Sequence, residues 1–175
     1  MVTVGGALKL VAVLPLAYAA LCAWLFVVQR SLIYHPVPRS AAVPVMEFQH
    51  QGQRIAVSHN GVASDRAVLY FGGNAEDVSV AAPALTQIFP GAAVYAVHYR
   101  GYGGSTGQAS EAALVADGVA LHAELACRHP HITLIGRSLG SGVAVQAAAA
   151  HAPQRLVLVT PYDSIAALAA QQFPY

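Results

Sequence analysis

The chain has 175 residues, of which 56% are hydrophobic and 10% are charged, and its formal net charge at pH 7 is +1. An ordinary soluble domain carries about 25% charged residues, so this composition excludes disorder for most of the chain. It also argues against a nucleic-acid partner, because nucleic-acid binders cluster Lys and Arg and no basic block is present. Two cysteines, Cys22 and Cys127, have neither metal-ligand spacing nor a disulfide framework.

One uncharged apolar stretch lies near the amino terminus, from Leu10 to Val28. It is long enough to cross a roughly 30 Å hydrocarbon core as a helix, which Pro15 would only kink. No second stretch of this length occurs, so the sequence does not indicate a polytopic membrane protein. The alternative is a cleaved signal peptide, since residues 17–19 have the small-x-small form of a cleavage site. Cleavage there would leave an apolar mature terminus. The sequence therefore favours an uncleaved, single-pass anchor in the bilayer, with its orientation left open by the flanking charges.

The composition divides the chain into an anchor over residues 1–30, a linker over residues 31–45 and a folded domain over residues 46–175. Three prolines punctuate the linker, and residues before proline avoid helical backbone, so the linker is predicted to be extended. Arg outnumbers Lys and Ala is abundant, a bias typical of GC-rich bacterial genomes. We therefore expect the bacterial inner membrane as the location.

Short apolar runs alternate with helix-length segments in the folded domain. A hairpin is predicted over Met46–His59, with its turn at residues 51–53. The apolar strands that follow are Val68–Phe71, Ala93–Val97, Ile132–Ile135 and Leu156–Val159. The helices are Asp77–Phe89, Ser110–Arg128, Leu139–His151 and a last one from about Ser164 to Tyr175. Strands that are apolar along their length and alternate with helices predict a mostly parallel, doubly wound α/β sheet covered on both faces.

The G-x-S-x-G sequence over residues 136–140 follows a predicted buried strand directly and precedes a helix. This is the context of a nucleophile elbow, a strained turn that exposes a serine hydroxyl at the carboxyl edge of a sheet. Gly136 and Gly140 remove side chains that would collide where the helix passes close to the strand. The pattern predicts Ser138 as the nucleophile and the Leu139 N–H as an oxyanion donor. The alternative is a phosphate-binding turn, but the spacing and the lysine of a P-loop are missing.

Two further loops follow strands that end at the same edge. The first, Phe71–Ala75, contains two glycines and is the expected position of the second oxyanion donor. We predict that this donor is the backbone N–H of Asn74, with Gly73 as the alternative. The second loop, over residues 98–107, is either a wall of an acyl pocket or a structural loop. We favour the structural role, in which its glycines adopt positive φ and Arg100 pairs locally.

Four motifs together resemble the membrane-anchored α/β-hydrolase-domain proteins of the serine-aminopeptidase-like class: Leu69–Ala75, His98–Ser105, Gly136–Gly142 and Thr160–Ser164. The apolar amino-terminal segment followed by Leu32–Pro36 also fits that group. The resemblance implies the α/β-hydrolase fold for residues 46–175. It further implies hydrolysis of an ester, thioester or amide bond in a small acyl or lipid-like substrate, through an acyl-serine. No metal or organic cofactor is implied.

The chain departs from that group after the elbow. Members of the group continue past the position of Tyr175 with two more strands, whose loops carry the triad acid and then the histidine. Asp163 follows the strand after the elbow, where some hydrolases place their acid, and is the candidate here. His98 lies at the correct edge but on the wrong side of the nucleophile, so we expect a structural role for it.

We therefore expect a C-terminally truncated hydrolase that lacks the last strands. Serine is a weak nucleophile without an adjacent base, so such a chain would be nearly inactive. Leu156–Val159 would form an uncovered apolar edge that invites a partner strand. Two alternatives remain open: completion by a second chain, and a membrane-anchored pseudoenzyme or binding module that uses the oxyanion pocket without catalysis. A purely structural membrane subunit would predict no backbone strain at Ser138.

Overall fold

The computed structural model describes the backbone of residues 4–161 and the side chains of residues 13–161. The elements in chain order are α1 (Val4–Ile33), β1 (Val45–His50), β2 (Gln53–His59), β3 (Arg66–Phe71), α2 (Val78–Ile88), β4 (Ala93–Val97), α3 (Glu111–Ala126), β5 (His131–Arg137), α4 (Leu139–Ala150) and β6 (Arg155–Val159). The helix predicted from Ser164 lies outside the described residues. The chain divides between His35 and Pro36 into two compact units.

The first unit is built on α1, a 30-residue helix with Pro15 inside it. Its stretch Val13–Ile33 has a mean hydropathy of 1.6, and none of it is buried. It is the one helix in residues 4–161 that is long and apolar enough to cross a membrane. The helix continues to Ile33, so irregular backbone begins a few residues later than the predicted linker.

The second unit is built on a six-stranded sheet with the order β1-β2-β4-β3-β5-β6. The first two strands form the predicted antiparallel hairpin, which turns at Gln51 and Gly52, both with positive φ. β2 is antiparallel to β4, whereas β4, β3, β5 and β6 are mutually parallel. The predicted mostly parallel α/β sheet is therefore confirmed. Every parallel strand ends at one edge, and the loops after β3, β4 and β5 lie there together.

Helices cover the two faces of the sheet. On one face, α2 packs its buried Val78, Ala82 and Leu85 against a cluster that includes Val68 of β3 and Val94 of β4. On the other face, α3 and α4 meet the sheet. A Cβ added at Gly118 of α3 would lie 3.1 Å from the ring of Phe71, and it would also contact Val143 of α4. Neighbouring strand residues point to opposite faces, so Val68 and Phe71 divide between the two helical layers. The crossovers β3–α2–β4 and β4–α3–β5 run in opposite directions along the sheet, and the right-handed rule for such crossovers then places α2 and α3 on opposite faces.

Strand β6 forms one edge of the described sheet. All five residues of β6 are exposed, and the exposure of its four apolar residues runs from 37% at Leu158 to 41% at Val159. β6 pairs with β5 alone among the described strands. Among the described elements, β6 is therefore an exposed apolar edge strand.

Candidate functional site

The elbow lies between β5, which ends at Arg137, and α4, which begins at Leu139. Ser138 alone forms the turn, with φ +47° and ψ −117°. Its N–H donates to the Val159 carbonyl at 2.9 Å. Its own carbonyl accepts from the Ser141 N–H at 2.8 Å and from the Ser141 hydroxyl at 2.6 Å. Positive φ in a residue other than glycine is costly and concentrates at functional sites. A purely structural membrane subunit would predict no strain at this position, so the strained backbone of Ser138 does not support that alternative.

Both glycines of the elbow are required by close packing. A Cβ at Gly136 would lie 2.7 Å from the Cβ of Ala144 and from the Cα of Ser141, both in α4. A Cβ at Gly140 would lie 2.6 Å from the Gly72 carbonyl oxygen and closer still to that of Phe71. The first residues of α4 therefore pack directly against the end of β3. This contact holds the elbow beside the glycine loop that follows β3.

The elbow and the predicted oxyanion loop after β3 meet in the structure. A Cβ added at Gly73 would lie 3.7 Å from the Cβ of Ser138, so the loop after β3 lies next to the proposed nucleophile. The Gly73 N–H itself donates to Oε2 of Glu76 at 2.6 Å. Asn74 is exposed, and its side-chain oxygen accepts from the Ala75 N–H at 3.1 Å. The Gly73 N–H, one of the two predicted oxyanion donors, therefore already forms a hydrogen bond within its own loop.

Two tyrosines of the loop after β4 hold the oxyanion loop. The Tyr99 hydroxyl donates to the Gly72 carbonyl at 2.8 Å, and the Tyr102 hydroxyl donates to the Asn74 side chain at 2.8 Å. The two rings pack edge to face with centroids 5.8 Å apart. This role of the two tyrosines is not predicted by the sequence pattern. A pair of tyrosines spaced three residues apart beside glycines was the available signal.

The rest of the loop after β4 has the structural role that the sequence favours. Its four glycines at positions 101, 103, 104 and 107 have positive φ, as predicted. Arg100 does not pair within the loop, however. It donates two hydrogen bonds to Asp117 of α3, at 2.8 and 2.7 Å, which raises the pKa of Arg100. The local pairing predicted for Arg100 is therefore wrong, because the side chain is long enough to reach a buried carboxylate on the neighbouring helix.

Glu76 joins three parts of the site and was not singled out from the sequence. Its Oε1 accepts from the Tyr70 hydroxyl at 2.7 Å, and its Oε2 lies 3.4 Å from Nη1 of Arg137. The Glu76 side chain is 15% exposed, and that of Arg137 is 55% exposed. Burial, followed by the hydrogen bond to Glu76, raises the pKa of Tyr70 well above its ordinary value, although Arg137 opposes the shift. Tyr70 therefore acts as a neutral donor.

His98 is a packed core residue, as expected. It is 2% exposed, its Nε2 pairs with the Ser58 hydroxyl at 2.8 Å, and its ring fills the space that a Cβ at Gly103 would need. Burial, with a smaller contribution from Arg39, lowers the pKa of His98 to about 4 against the opposing effect of Asp77. No histidine within residues 4–161 hydrogen-bonds to Ser138. Asp163, the predicted acid, lies outside the described residues.

The connector before β1 is tied to both loops of the site. Ser40 donates its N–H and its hydroxyl to Oδ2 of Asp77, at 2.7 and 2.6 Å, and Asp77 caps α2 by accepting from Ser79. The Gly103 N–H donates to the Val37 carbonyl at 3.0 Å. Burial alone would raise the pKa of Asp77, but the hydrogen bonds from Ser40 and Ser79 lower it to about 2. The connector therefore fixes the start of α2, directly after the oxyanion loop.

Metal chemistry has no candidate ligand set in the described part of the chain. No group of three or more His, Cys, Asp or Glu side chains within residues 13–161 could hold a metal ion.

Comparisons with known proteins agree with this geometry. A family model described as the alpha/beta hydrolase fold matches residues 67–175. An uncharacterized protein from two strains of Mycobacterium tuberculosis is 34% identical over 187 residues, an alignment that covers 97% of this chain and 66% of the relative. The chain thus spans slightly less than two thirds of the length of the curated relatives it matches.

Solved structures share the fold at low sequence identity. An alpha-beta serine hydrolase homologue from Coxiella burnetii is 17% identical with a TM-score of 0.57, covering 74% of this chain and 70% of that one. A thioesterase domain from the curacin biosynthetic pathway is 21% identical with a TM-score of 0.57, covering 75% and 50%. The family match covers more than half of the chain and includes the strands that carry the elbow. The chain therefore belongs to the alpha/beta hydrolase fold family.

Proposed function

We propose that this chain provides the nucleophile and the oxyanion donors of a serine hydrolase that acts on ester, thioester or amide bonds. One observation carries the proposal: Ser138 adopts φ +47° at the end of β5, beside the glycine loop that follows β3. Strained backbone of this kind persists only where the surrounding structure enforces it, and here two glycines and the start of α4 do so.

In the proposed reaction, Oγ of Ser138 attacks the acyl carbon while its proton passes to a base. The carbonyl oxygen becomes an oxyanion, to which the N–H groups of Leu139 and Asn74 donate. Collapse of this intermediate breaks the bond to the leaving group, which departs with the proton, and leaves an acyl-serine. Water then repeats the sequence and releases the acid. The base is a histidine of the whole hydrolase, oriented by an acid for which Asp163 is the candidate.

We propose further that the substrate is a small acyl or lipid-like molecule, and that α1 anchors the protein in a bilayer as a single-pass helix. An unburied apolar stretch of 21 residues supports this assignment, because exposed apolar surface of that extent marks contact with a membrane or a partner. Carbonate extraction of membranes tests it, with the intact mass as a second measurement. Release of the protein into the soluble fraction, or cleavage after residue 19, would contradict the anchor.

A membrane-anchored binding module is the second candidate. It is favoured by one observation, that no described histidine contacts the Ser138 hydroxyl within residues 4–161. A binding module would keep the oxyanion pocket and hold an acyl group or its carboxylate product without turnover. The other alternative is a hydrolase completed by a second chain that supplies the base; activity is then expected only when the two chains are mixed.

Labelling by a fluorophosphonate probe separates the two candidates. The full chain in detergent micelles is compared with Ser138→Ala and with the control Ser64→Ala, whose serine lies before β3 at the opposite edge of the sheet. A hydrolase labels at Ser138 much faster than a free serine does, and Ser64→Ala keeps that rate. A rate no faster than free serine would refute catalytic competence of this chain alone, while the assignment of the whole protein as a hydrolase would survive.

A further inference from the structure

The carboxylate of Glu76 connects the oxyanion loop to the elbow. Each of its oxygens has a defined partner: Oε1 accepts from Tyr70 of β3 at 2.7 Å, and Oε2 accepts from the Gly73 N–H at 2.6 Å. Oε2 also faces the guanidinium of Arg137 at 3.4 Å. One side chain thus connects the end of β3, the glycine loop and the residue immediately before Ser138.

The position of Gly73 makes this connection relevant to the chemistry. The point that a Gly73 Cβ would occupy lies 3.2 Å from Oε2 of Glu76 and 3.7 Å from the Cβ of Ser138. Gly73 therefore lies beside Ser138, and its N–H is one of the two predicted oxyanion donors. It is instead committed to a carboxylate, an acceptor that forms hydrogen bonds about twice as strong as a neutral one does.

We propose that Glu76 is a positioning residue for the acyl transfer proposed above. Its carboxylate holds the Gly73 N–H in a structural hydrogen bond and fixes the loop so that the oxyanion is bound by the N–H groups of Leu139 and Asn74. The inference rests on the proposed function. Two consecutive glycines leave the loop with a large conformational freedom, whereas oxyanion donors act only when they are held in place before the reaction. Glu76 supplies that constraint from inside the site.

Tyr70 and Arg137 explain why the carboxylate stays in place. The Tyr70 hydroxyl is a neutral donor from a 5% exposed residue of β3, so one oxygen of Glu76 is fixed from within the sheet. Arg137 is half-exposed and balances the negative charge beside the oxyanion pocket. Without that balance, a carboxylate near a developing oxyanion would oppose catalysis. The same three groups therefore position the loop and keep the local charge near zero.

Hydrogen exchange at the Gly73 amide tests the contact without requiring activity. The full chain, labelled with 15N-glycine in detergent micelles, is compared with Glu76→Gln, Glu76→Ala and the control Glu124→Ala. Glu124 of α3 forms an exposed ion pair with Arg128, far along the chain from the loop. Glu76→Ala should speed exchange at Gly73 about 10-fold or more, while Glu76→Gln retains an acceptor and most of the protection. Unchanged exchange in Glu76→Ala would overturn the proposal.

Fluorophosphonate labelling of Ser138 tests the consequence for the reaction. We expect Glu76→Ala to lower the labelling rate about 10-fold or more, because a displaced donor removes stabilisation of the transition state. Glu76→Gln should restore most of it, and Glu124→Ala should match the parent. Rates are corrected for the folded fraction measured by circular dichroism. Faster exchange at Gly73 with an unchanged labelling rate would reduce Glu76 to a structural residue and overturn the proposal.

The two proposals fail in different ways. If the parent chain does not label at Ser138, the proposed hydrolase activity of this chain fails, and the exchange experiment still decides whether Glu76 holds the loop. If the parent labels and neither Glu76 variant changes the rate or the exchange, the hydrolase assignment stands and the role of Glu76 is refuted.

Discussion

Acidification should destabilise this protein, and His98 should account for a distinct part of the loss. His98 is 2% exposed and bonded to Ser58. In the folded chain its pKa is lowered from 6.5 to about 4, so the folded state excludes the proton that the unfolded state accepts. Between these two pH values the unfolded chain binds more protons at this site. Stability is therefore lost as the pH falls through 6.5, and the loss levels off near pH 4.

The size of the effect follows from the two pKa values. The full shift corresponds to about 3 kcal/mol in the free energy of unfolding, since each unit is worth about 1.4 kcal/mol. Between about pH 7.5 and about pH 5 most of the titration window is crossed, and the loss assigned to His98 is about 2 kcal/mol. Only the difference between the parent and a His98 variant isolates the contribution.

The assay is urea unfolding of the full chain in detergent micelles, followed by circular dichroism at both pH values. His98→Gln removes the titrating ring and keeps a polar group that can reach Ser58. It should be less stable than the parent at pH 7.5, and its loss on acidification should be about 2 kcal/mol smaller. The matched control is His131→Gln, at the exposed start of β5, which should keep the parental pH dependence. A His98→Gln variant with the full parental pH dependence would refute the reasoning.

Two further predictions concern packing and charge in the same unit. Gly140→Ala places a Cβ 2.6 Å from the Gly72 carbonyl oxygen, and it should lower the unfolding free energy by about 1 to 3 kcal/mol and slow the labelling of Ser138. An unchanged urea midpoint would show that α4 does not press on β3. Asp117→Ala removes the carboxylate partner of the Arg100 guanidinium, in a site where the side chains of Asp117 and Arg100 are 5% and 13% exposed. We expect a loss of about 3 kcal/mol, against less than about 1 kcal/mol for Glu47→Ala in an exposed ion pair. Equal losses in the two variants would contradict a buried role for Asp117.

The strands, the helices and the elbow were accessible from the sequence because each is governed by local rules. Ser110 caps α3 by accepting from the Ala113 N–H, and α3 begins at Glu111, next to the predicted cap. The strands β3, β4 and β5 were found because they are apolar on both faces, which only buried parallel strands sustain. Gly136 and Gly140 predict a close approach of helix and strand for a steric reason that is independent of the rest of the fold. These features need no knowledge of distant residues.

The partners of the site residues could not be predicted in the same way. Glu76 looks like one of several loop residues until the fold places it between Tyr70, Gly73 and Arg137. Arg100 was expected to pair within its own loop, yet it reaches a helix residue 17 positions away. Side-chain hydrogen bonds depend on which loops converge at the edge of the sheet, and that convergence is set by strand order.

The sequence by itself determined an apolar amino-terminal helix, a mostly parallel α/β sheet and a strained serine turn, because periodicity, glycine spacing and apolar runs act over a few residues. The tertiary structure alone decided that Gly73 donates to Glu76, that Tyr99 and Tyr102 hold the oxyanion loop, and that His98 is buried against Ser58. These contacts join segments between three and 40 positions apart. The order of the strands in the sheet brings those segments to one edge. A pattern of neighbouring residues in the sequence does not specify that order.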